Sequence, residues 1–368
     1  LWAPTLLVLA ALSAFGWWTL RAITDSERRD MNNWLVATLE TQAKSMSYWL
    51  DERQRRVRQA ASDAQLEELV KTARAAWQQE QEIGMELQQQ LALALGKRSI
   101  PFGFVESLLL DDKGVVIYAE SPVNIGRSVS EQVSSRLQDV SSLGSVVIPP
   151  YRSRLNLIDA AGGFDVGLPT MLFCAPVNEN STLCMRSRPE YDFTELFHLS
   201  RIGDSGETYA IDSNALMISR SRFDESLKRV GLIPDRPSVT SLLNIEMRAP
   251  AGNLMEGYGH EGAREESPLT LAAEELLAGR SGSNITGYPD YRGVPVIGAW
   301  QWLEPYDMGI IVEIDVKEAY RGLGVLQQAF VAVLVALLLL ALILAFGYRA
   351  LLKTFSRLQV ERDPVSYT

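Results

Sequence analysis

Two long stretches without a single charge lie near the two ends of this chain. Residues Leu1–Leu20 (LWAPTLLVLAALSAFGWWTL) form the first, and Val325–Tyr348 (VLQQAFVAVLVALLLLALILAFGY), between Arg321 and Arg349, the second. A helix of about 20 apolar residues crosses a bilayer. The second run is apolar all round, whereas a helix packed on a soluble core has one polar face. Transmembrane helices are therefore expected at 1–23 and 321–348, with a segment of ordinary soluble composition slung between them.

Arg349, Lys353, Arg357 and Arg362 follow the second run, against Glu361 and Asp363. Such an excess of Lys and Arg marks the cytoplasmic side. Two spans then place both termini in the cytoplasm and the large middle segment outside, as in a bacterial inner membrane, with 349–368 a cytoplasmic juxtamembrane segment. No A-x-A cleavage pattern precedes the polar Arg21–Asp30 stretch, so the first span reads as an uncleaved anchor. Phe15, Trp17 and Trp18 cluster where an interfacial aromatic belt belongs. Starting at Leu1 and stopping at Thr368, the chain leaves room for cytoplasmic sequence at both ends. The net charge of -10, from 35 basic and 45 acidic residues, argues against nucleic acid as a partner.

From Asp25 onward glycine and proline are absent until Gly84. Apolar residues recur at Met31, Trp34, Leu35, Leu39, Ala43, Met46, Trp49, Leu50, Val57 and Ala61. That spacing predicts one helix with one stripe, which serves either as a dimer seam or as the face that packs on the domain. A second helix is predicted over Leu66–Leu95, so that 24–96 is a long helical segment. Ala10 and Ala14 in the first span allow close helix approach, and Gln327-Gln328 can hydrogen-bond between helices. These features suggest a homodimer or higher assembly.

The period then changes to that of strands. Phe104–Leu110, Gly114–Ala119, Ser145–Pro149, Met171–Pro176 and Thr182–Arg186 are expected strands, with a turn at Asp111–Gly114 and a helix over Ser130–Val140. Cys174 and Cys184 flank a polar turn. Folding that hairpin about Glu179 puts them opposite one another at a spacing a disulfide spans; the alternative is two buried free thiols. A connecting helix, Tyr191–Leu199, leads to a second module. It comprises a hairpin of Glu207–Asp212 and Leu216–Ser221, and a crossover over Phe223–Arg280. The crossover holds a helix with Ser267 as N-cap, Pro268 at its first position and Gly279 past its end. Strands near Ser283–Tyr288, Val294–Trp302 and Met308–Val316 close it. The modules span 97–190 and 191–320. The fold class is α+β: two tandem PAS-like modules with antiparallel sheets on a long N-terminal helix.

The run Gly203–Asp212 (GDSGETYAID), followed by Met217–Phe223 (MISRSRF), resembles the opening hairpin of a Cache sensor domain. Gly287–Trp300 (GYPDYRGVPVIGAW), then Gly309–Asp315 and Glu318-Ala319, is similar to its close. Pro150-Tyr151-Arg152 and Leu172–Val177 match more loosely in the first module. With the flanking spans, the chain over about Leu1 to Tyr348 resembles a double Cache receptor region, as in chemoreceptors, histidine kinases, nucleotide cyclases and membrane Ser/Thr kinases. The resemblance implies a membrane sensor that detects a small ligand or partner and signals to a cytoplasmic output. Amino-acid-binding members carry an aromatic–arginine–tryptophan–tyrosine run in the distal unit. Here no Trp lies between Trp77 and Trp300, and Tyr151-Arg152-Ser153-Arg154 is the comparable cluster.

Ligand candidates in the distal module are Tyr118, Tyr151, Arg152, Arg154 and Asp165, since an arginine pair grips a carboxylate or phosphate. In the proximal module Tyr209, Arg220, Arg222, Tyr288, Tyr291 and Trp300 are candidates to converge across the sheet. With His198 and His260 the only histidines, no catalytic constellation is expected, and no catalytic residues are assigned. No spacing suits zinc, no calcium loop is complete, and no nucleotide fingerprint occurs, so no metal or cofactor is expected. Asn180-Ser181-Thr182 and Asn284-Ile285-Thr286 match a glycosylation pattern by chance. The competing class is a non-enzymatic accessory protein that uses the same scaffold for assembly.

Overall fold

The computed structural model describes residues 3–158, 164–198, 203–258 and 264–361. They form two units, residues 34–316 in one and the two chain ends in the other. The fold is α+β, with a long N-terminal helix and antiparallel sheets. Helix α1 (Ala3–Ala61) runs unbroken for 59 residues; its one proline, Pro4, falls in the first turn, where proline is tolerated. Within the larger unit its stripe is internal: Leu35, Leu39, Ala43, Met46, Leu50, Val57 and Ala61 are all buried. Of the two uses open to the stripe, packing on the domain is the one observed. Trp34 (38% exposed) and Tyr48 (72%) lie on the open side.

The second predicted helix is two: α2 (Ala64–Glu80) and α3 (Met85–Ser99). Asp63 caps α2, its Oδ1 accepting from Leu66 N at 3.0 Å. Gln81, left-handed at φ 53, ends it, and Gly84 opens α3. Past the expected stop at Gly96, α3 continues to Ser99.

In the distal module β1 (Glu106–Asp111), β2 (Val116–Ala119), β3 (Val146–Arg152), β6 (Pro169–Asn178) and β7 (Ser181–Ser187) form a sheet of order β2-β1-β7-β6-β3. A two-residue hairpin, β4 (Leu157–Ile158) with β5 (Phe164–Asp165), lies outside it. The crossover from β2 to β3 carries α4 (Glu131–Leu137) and α5 (Val140–Leu143) in place of one helix. Gly114, at φ +75, closes the first turn, where Asp111 Oδ1 accepts from Lys113 N and Val115 N at 2.9 and 2.8 Å. Cys174 and Cys184 are register partners and are joined by a disulfide. The ladder slips between Pro176 and Asn178, and that irregularity brings the two cysteines level.

After α6 (Phe193–His198) comes the proximal sheet: β8 (Glu207–Ile211), β9 (Gly282–Pro289), β10 (Pro295–Leu303) and β11 (Met308–Asp315), in the order β8-β11-β10-β9. The predicted return strand Leu216–Ser221 makes only isolated bridges, Ile211 with Met217 and Leu216 with Glu246. Ile218 N still donates to Ala210 O at 2.9 Å, but a side chain answers the return bond, the Ala210 N–H donating to Ser219 Oγ at 3.0 Å. The crossover holds α7 (Asp224–Arg229), which the sequence reading lacks, and α8 (Leu271–Leu277). Thr270, not Ser267, caps α8, because Pro268 still accepts from Ala249 N in extended pairing. Gly279 follows its end at φ 72.

In the other unit α10 (Arg321–Glu361) contains Gly324–Phe355, the one helix among the described residues long and apolar enough to cross a membrane. It lies against the first half of α1: a Cβ on Gly16 would meet Leu334 at 2.7 Å, a small residue permitting close approach. Gln327 donates to Thr24 Oγ1 at 3.0 Å, so its expected interhelical bond is made within the chain. A short helix, α9 (Val316–Ala319), joins β11 to α10.

The disulfide closes a short loop in one hairpin. Replacing both cysteines by serine is expected to lower stability by about 2–3 kcal/mol, read as a lower denaturant midpoint.

Candidate functional site

Strand alternation sorts the distal candidates into two sets. Along the end of β3, Tyr151, Ser153 and Leu155 are buried while Arg152 and Arg154 point outward, as successive side chains on an extended chain must. Tyr151 therefore does not share a face with the two arginines expected beside it. Arg152 reaches instead across to the proximal module, donating to Asn244 Oδ1 at 2.8 Å and Leu243 O at 3.2 Å, and to Gly167 O at 3.2 Å. Tyr118 pairs with Leu109 in the ladder, whereas neighbouring Leu108 and Ala119 join Tyr151 in the core; Tyr118 thus faces the opposite side of the sheet. Its hydroxyl is buried without a partner, and burial pushes its pKa up. Asp165 sits in β5 opposite Leu157.

The arginine that does join Tyr151 is Arg186. It is fully buried, directly across the ladder from Glu106, and donates to Glu106 Oε2 at 2.6 Å, Asn156 O at 3.0 Å and Ser153 Oγ at 3.2 Å. Glu106 Oε1 accepts from Ser121 N at 3.1 Å and Asn124 Nδ2 at 3.3 Å. Arg186 Nε is buried with no acceptor. Burial pushes Tyr151 up to about 12, with Arg186 and Ser153 opposing; burial likewise raises Glu106, against the pull of Arg186. The interior thus offers a phenol, a cation and a spare N–H. The signal for Arg186 lay in the sequence: it stands two residues beyond Cys184 on the same face.

In the proximal module the aromatic candidates do converge. Tyr209 and Tyr291 meet edge to face at 5.8 Å, as do Tyr288 and Trp300. Their hydroxyls serve two carboxylates that sequence reasoning missed. Tyr209 and Tyr288 donate to Glu313 at 2.9 and 2.7 Å, and Tyr291 to Glu207 at 2.7 Å. Arg220 and Arg222 do not join them. Arg220 pairs with Asp224 at 3.2 Å, and the Arg222 guanidinium donates to the carbonyls of Gly203 and Gly206.

Among the described residues no cluster of His, Cys, Asp and Glu is arranged for a metal. His198 ends α6, and His260 lies outside the described residues. An open cavity of about 470 Å³ is lined by Arg229, Leu232, Leu254, Tyr258 and Arg264.

No family model matches the chain, and no curated protein matches it. Similar solved structures are ligand-binding or sensor domains of bacterial receptors. The ligand-binding domain of the Pseudomonas fluorescens chemoreceptor CtaA, in complex with L-isoleucine, is 14% identical over 81% of this chain and 97% of that one, with a TM-score of 0.47. That of the Pseudomonas aeruginosa amino acid chemoreceptor PctB, in complex with L-Arg, is 13% identical over 82% and 94%, TM-score 0.44. The sensor domain of the V. cholerae histidine kinase DctB is 11% identical over 77% and 98%, TM-score 0.44.

The Arg186–Glu106 pair makes a quantitative expectation. Arg186→Met alone strands a buried carboxylate and is expected to cost about 3–5 kcal/mol, whereas adding Glu106→Leu recovers most of it. Chemical unfolding of both variants checks this; equal losses would mean the pair is not coupled.

Proposed function

We propose that the chain is the sensing region of a bacterial inner-membrane receptor, held by two spans, with residues 34–316 outside the cytoplasm and both termini inside. A small ligand bearing a carboxylate or other anionic group binds the distal module. The observation that carries this reading is Arg186, a fully buried guanidinium beside Tyr151 with one donor lacking an acceptor. An anion entering under the segment 153–158 satisfies that donor and competes with Glu106 for the cation. Because β11 continues through α9 into α10, a shift in the modules reaches the second span along the chain. Ligand binding then biases two arrangements of the juxtamembrane helices, read by a cytoplasmic output. Ala10 and Ala14, both exposed on α1, supply a homodimer seam in the membrane.

One observation favours the assembly-scaffold reading: Arg186 already has its counter-ion in Glu106. A thermal-shift screen of small carboxylates on the full chain in nanodiscs separates the two. The receptor reading predicts hits whose stabilisation persists in Arg152→Ala/Arg154→Ala and disappears in Arg186→Gln/Glu106→Gln. No hits, with the chain folded, would support the scaffold.

A further inference from the structure

The two carboxylates of the proximal sheet have no part in the reading above. Glu207 on β8 and Glu313 on β11 are direct cross-strand partners, 5% and 3% exposed, on the face that carries Tyr209 and Ile311. Like charges directly opposite destabilise a ladder, and a buried carboxylate without a cation is costly. The third member of the row is Gly298 on β10, opposite Glu313. A Cβ there would run into the Tyr288 hydroxyl, and would meet Val312 O at 2.8 Å and Glu313 Cγ at 2.9 Å. The missing side chain is what lets Tyr288 reach over from β9 to Glu313.

The charged and titratable surroundings come from every packed element. Tyr209 from β8 and Tyr288 from β9 hold the two oxygens of Glu313. Glu207 accepts from Ser221 Oγ at 2.5 Å, Tyr291 Oη at 2.7 Å and Arg222 N at 2.9 Å. In the turn after β9, Arg292 is bound to Asp290 at 2.6 Å and to Asp315 at 3.0 Å. Arg264 donates to Tyr291 O at 3.1 Å. Of the three buried carboxylates, Asp290 holds Arg292, which also binds Asp315, whereas Glu313 is held by the two tyrosine hydroxyls.

We propose that the row Gly298–Glu313–Glu207 is a proton-binding site, in which a proton on Glu313 keeps the facing carboxylates from both being charged. When Glu313 releases that proton to bulk water, two like charges face each other across the β8–β11 ladder, so outside pH reaches the strand that leads to α9 and α10. Burial, with the Asp290 carboxylate, pushes Glu313 up to about 8, against the Tyr288 and Tyr209 hydrogen bonds. The folded chain then keeps a proton that the unfolded chain loses near 4.5. Stability contributed by this group is fully present below about 4.5 and falls as pH rises toward about 8. The site needs no ligand, so it stands or falls separately from the distal reading.

Infrared titration of the full chain in nanodiscs tests it, alongside thermal unfolding. The wild type should show a protonated-carboxyl stretch that titrates with a midpoint about pH 8, and a melting temperature that drops by several degrees from mildly acidic to alkaline pH. Glu313→Gln should lose the band and most of the drop. Absence of the band in mild acid, or an unchanged band and drop in Glu313→Gln, would overturn the proposal. If Glu313→Gln does not fold, Tyr288→Phe serves: removing a donor to the carboxylate should raise the midpoint, and an unmoved midpoint overturns the site.

Discussion

One packing surface, the buried stripe of α1 from Leu35 to Ala61, meets the distal sheet, the connecting segment and the turn between β10 and β11. Trp49 stacks edge-on against Phe173 of the distal sheet at 5.8 Å and lies 6.2 Å from Phe193 of α6. Arg53, beside Trp49, bonds Asp192 at 2.8 Å. Asp51 accepts from Tyr306, between β10 and β11, at 2.7 Å, and Arg58 donates to Ser145 at the start of the β3 strand region at 2.7 Å. One helix therefore touches the distal sheet, the connecting segment and the β10–β11 turn between Trp49 and Arg58, over about 15 Å of rise. Burying such aliphatic side chains contributes roughly 1.5–3 kcal/mol each before the cost of ordering, so this seam outweighs any single polar contact on it.

The two modules handle charge on their core faces in opposite ways. In the distal one an arginine and a glutamate face each other across β1 and β7, an arrangement that is costly to break from either side. In the proximal one the facing residues are both acidic, and hydroxyls rather than cations answer them. In the first arrangement burial raises the pKa of Glu106 and lowers that of Arg186, against their mutual attraction. The second depends on proton occupancy. The same fold plan therefore carries a buried ion pair in one module and two facing carboxylates in the other.

Much of the plan was legible because it rests on local signals. The absence of glycine and proline from Asp25 to Gly84, the turn at Asp111–Gly114 and the alternation around Cys174 and Cys184 each state their structure in a few residues. The hairpin return at Leu216–Ser221 was not legible, because its serines satisfy backbone groups through their hydroxyls, which periodicity does not reveal. The α8 cap shifted to Thr270 because the chain before it is held extended by Ala249, a contact distant in sequence. The site residues were harder. Tyr151 faces the core, but the arginines next to it alternate outward, and the one on its side comes from β7. Glu106, Glu207 and Glu313 were passed over because a charge in an alternating strand is ordinarily read as solvent-facing. Parity with Leu108, Tyr209 and Ile311 assigns them to the core.

The central claim is that the Leu35–Ala61 stretch of α1 and the two sheets behave as one body. Hydrogen exchange on the full chain in nanodiscs measures it directly. Amides of Leu35–Ala61 should exchange in the same slow class as those of β6 and β10 and open with them in a single cooperative step. Exchange of the helix well ahead of both sheets, with the sheets still protected, would contradict the account.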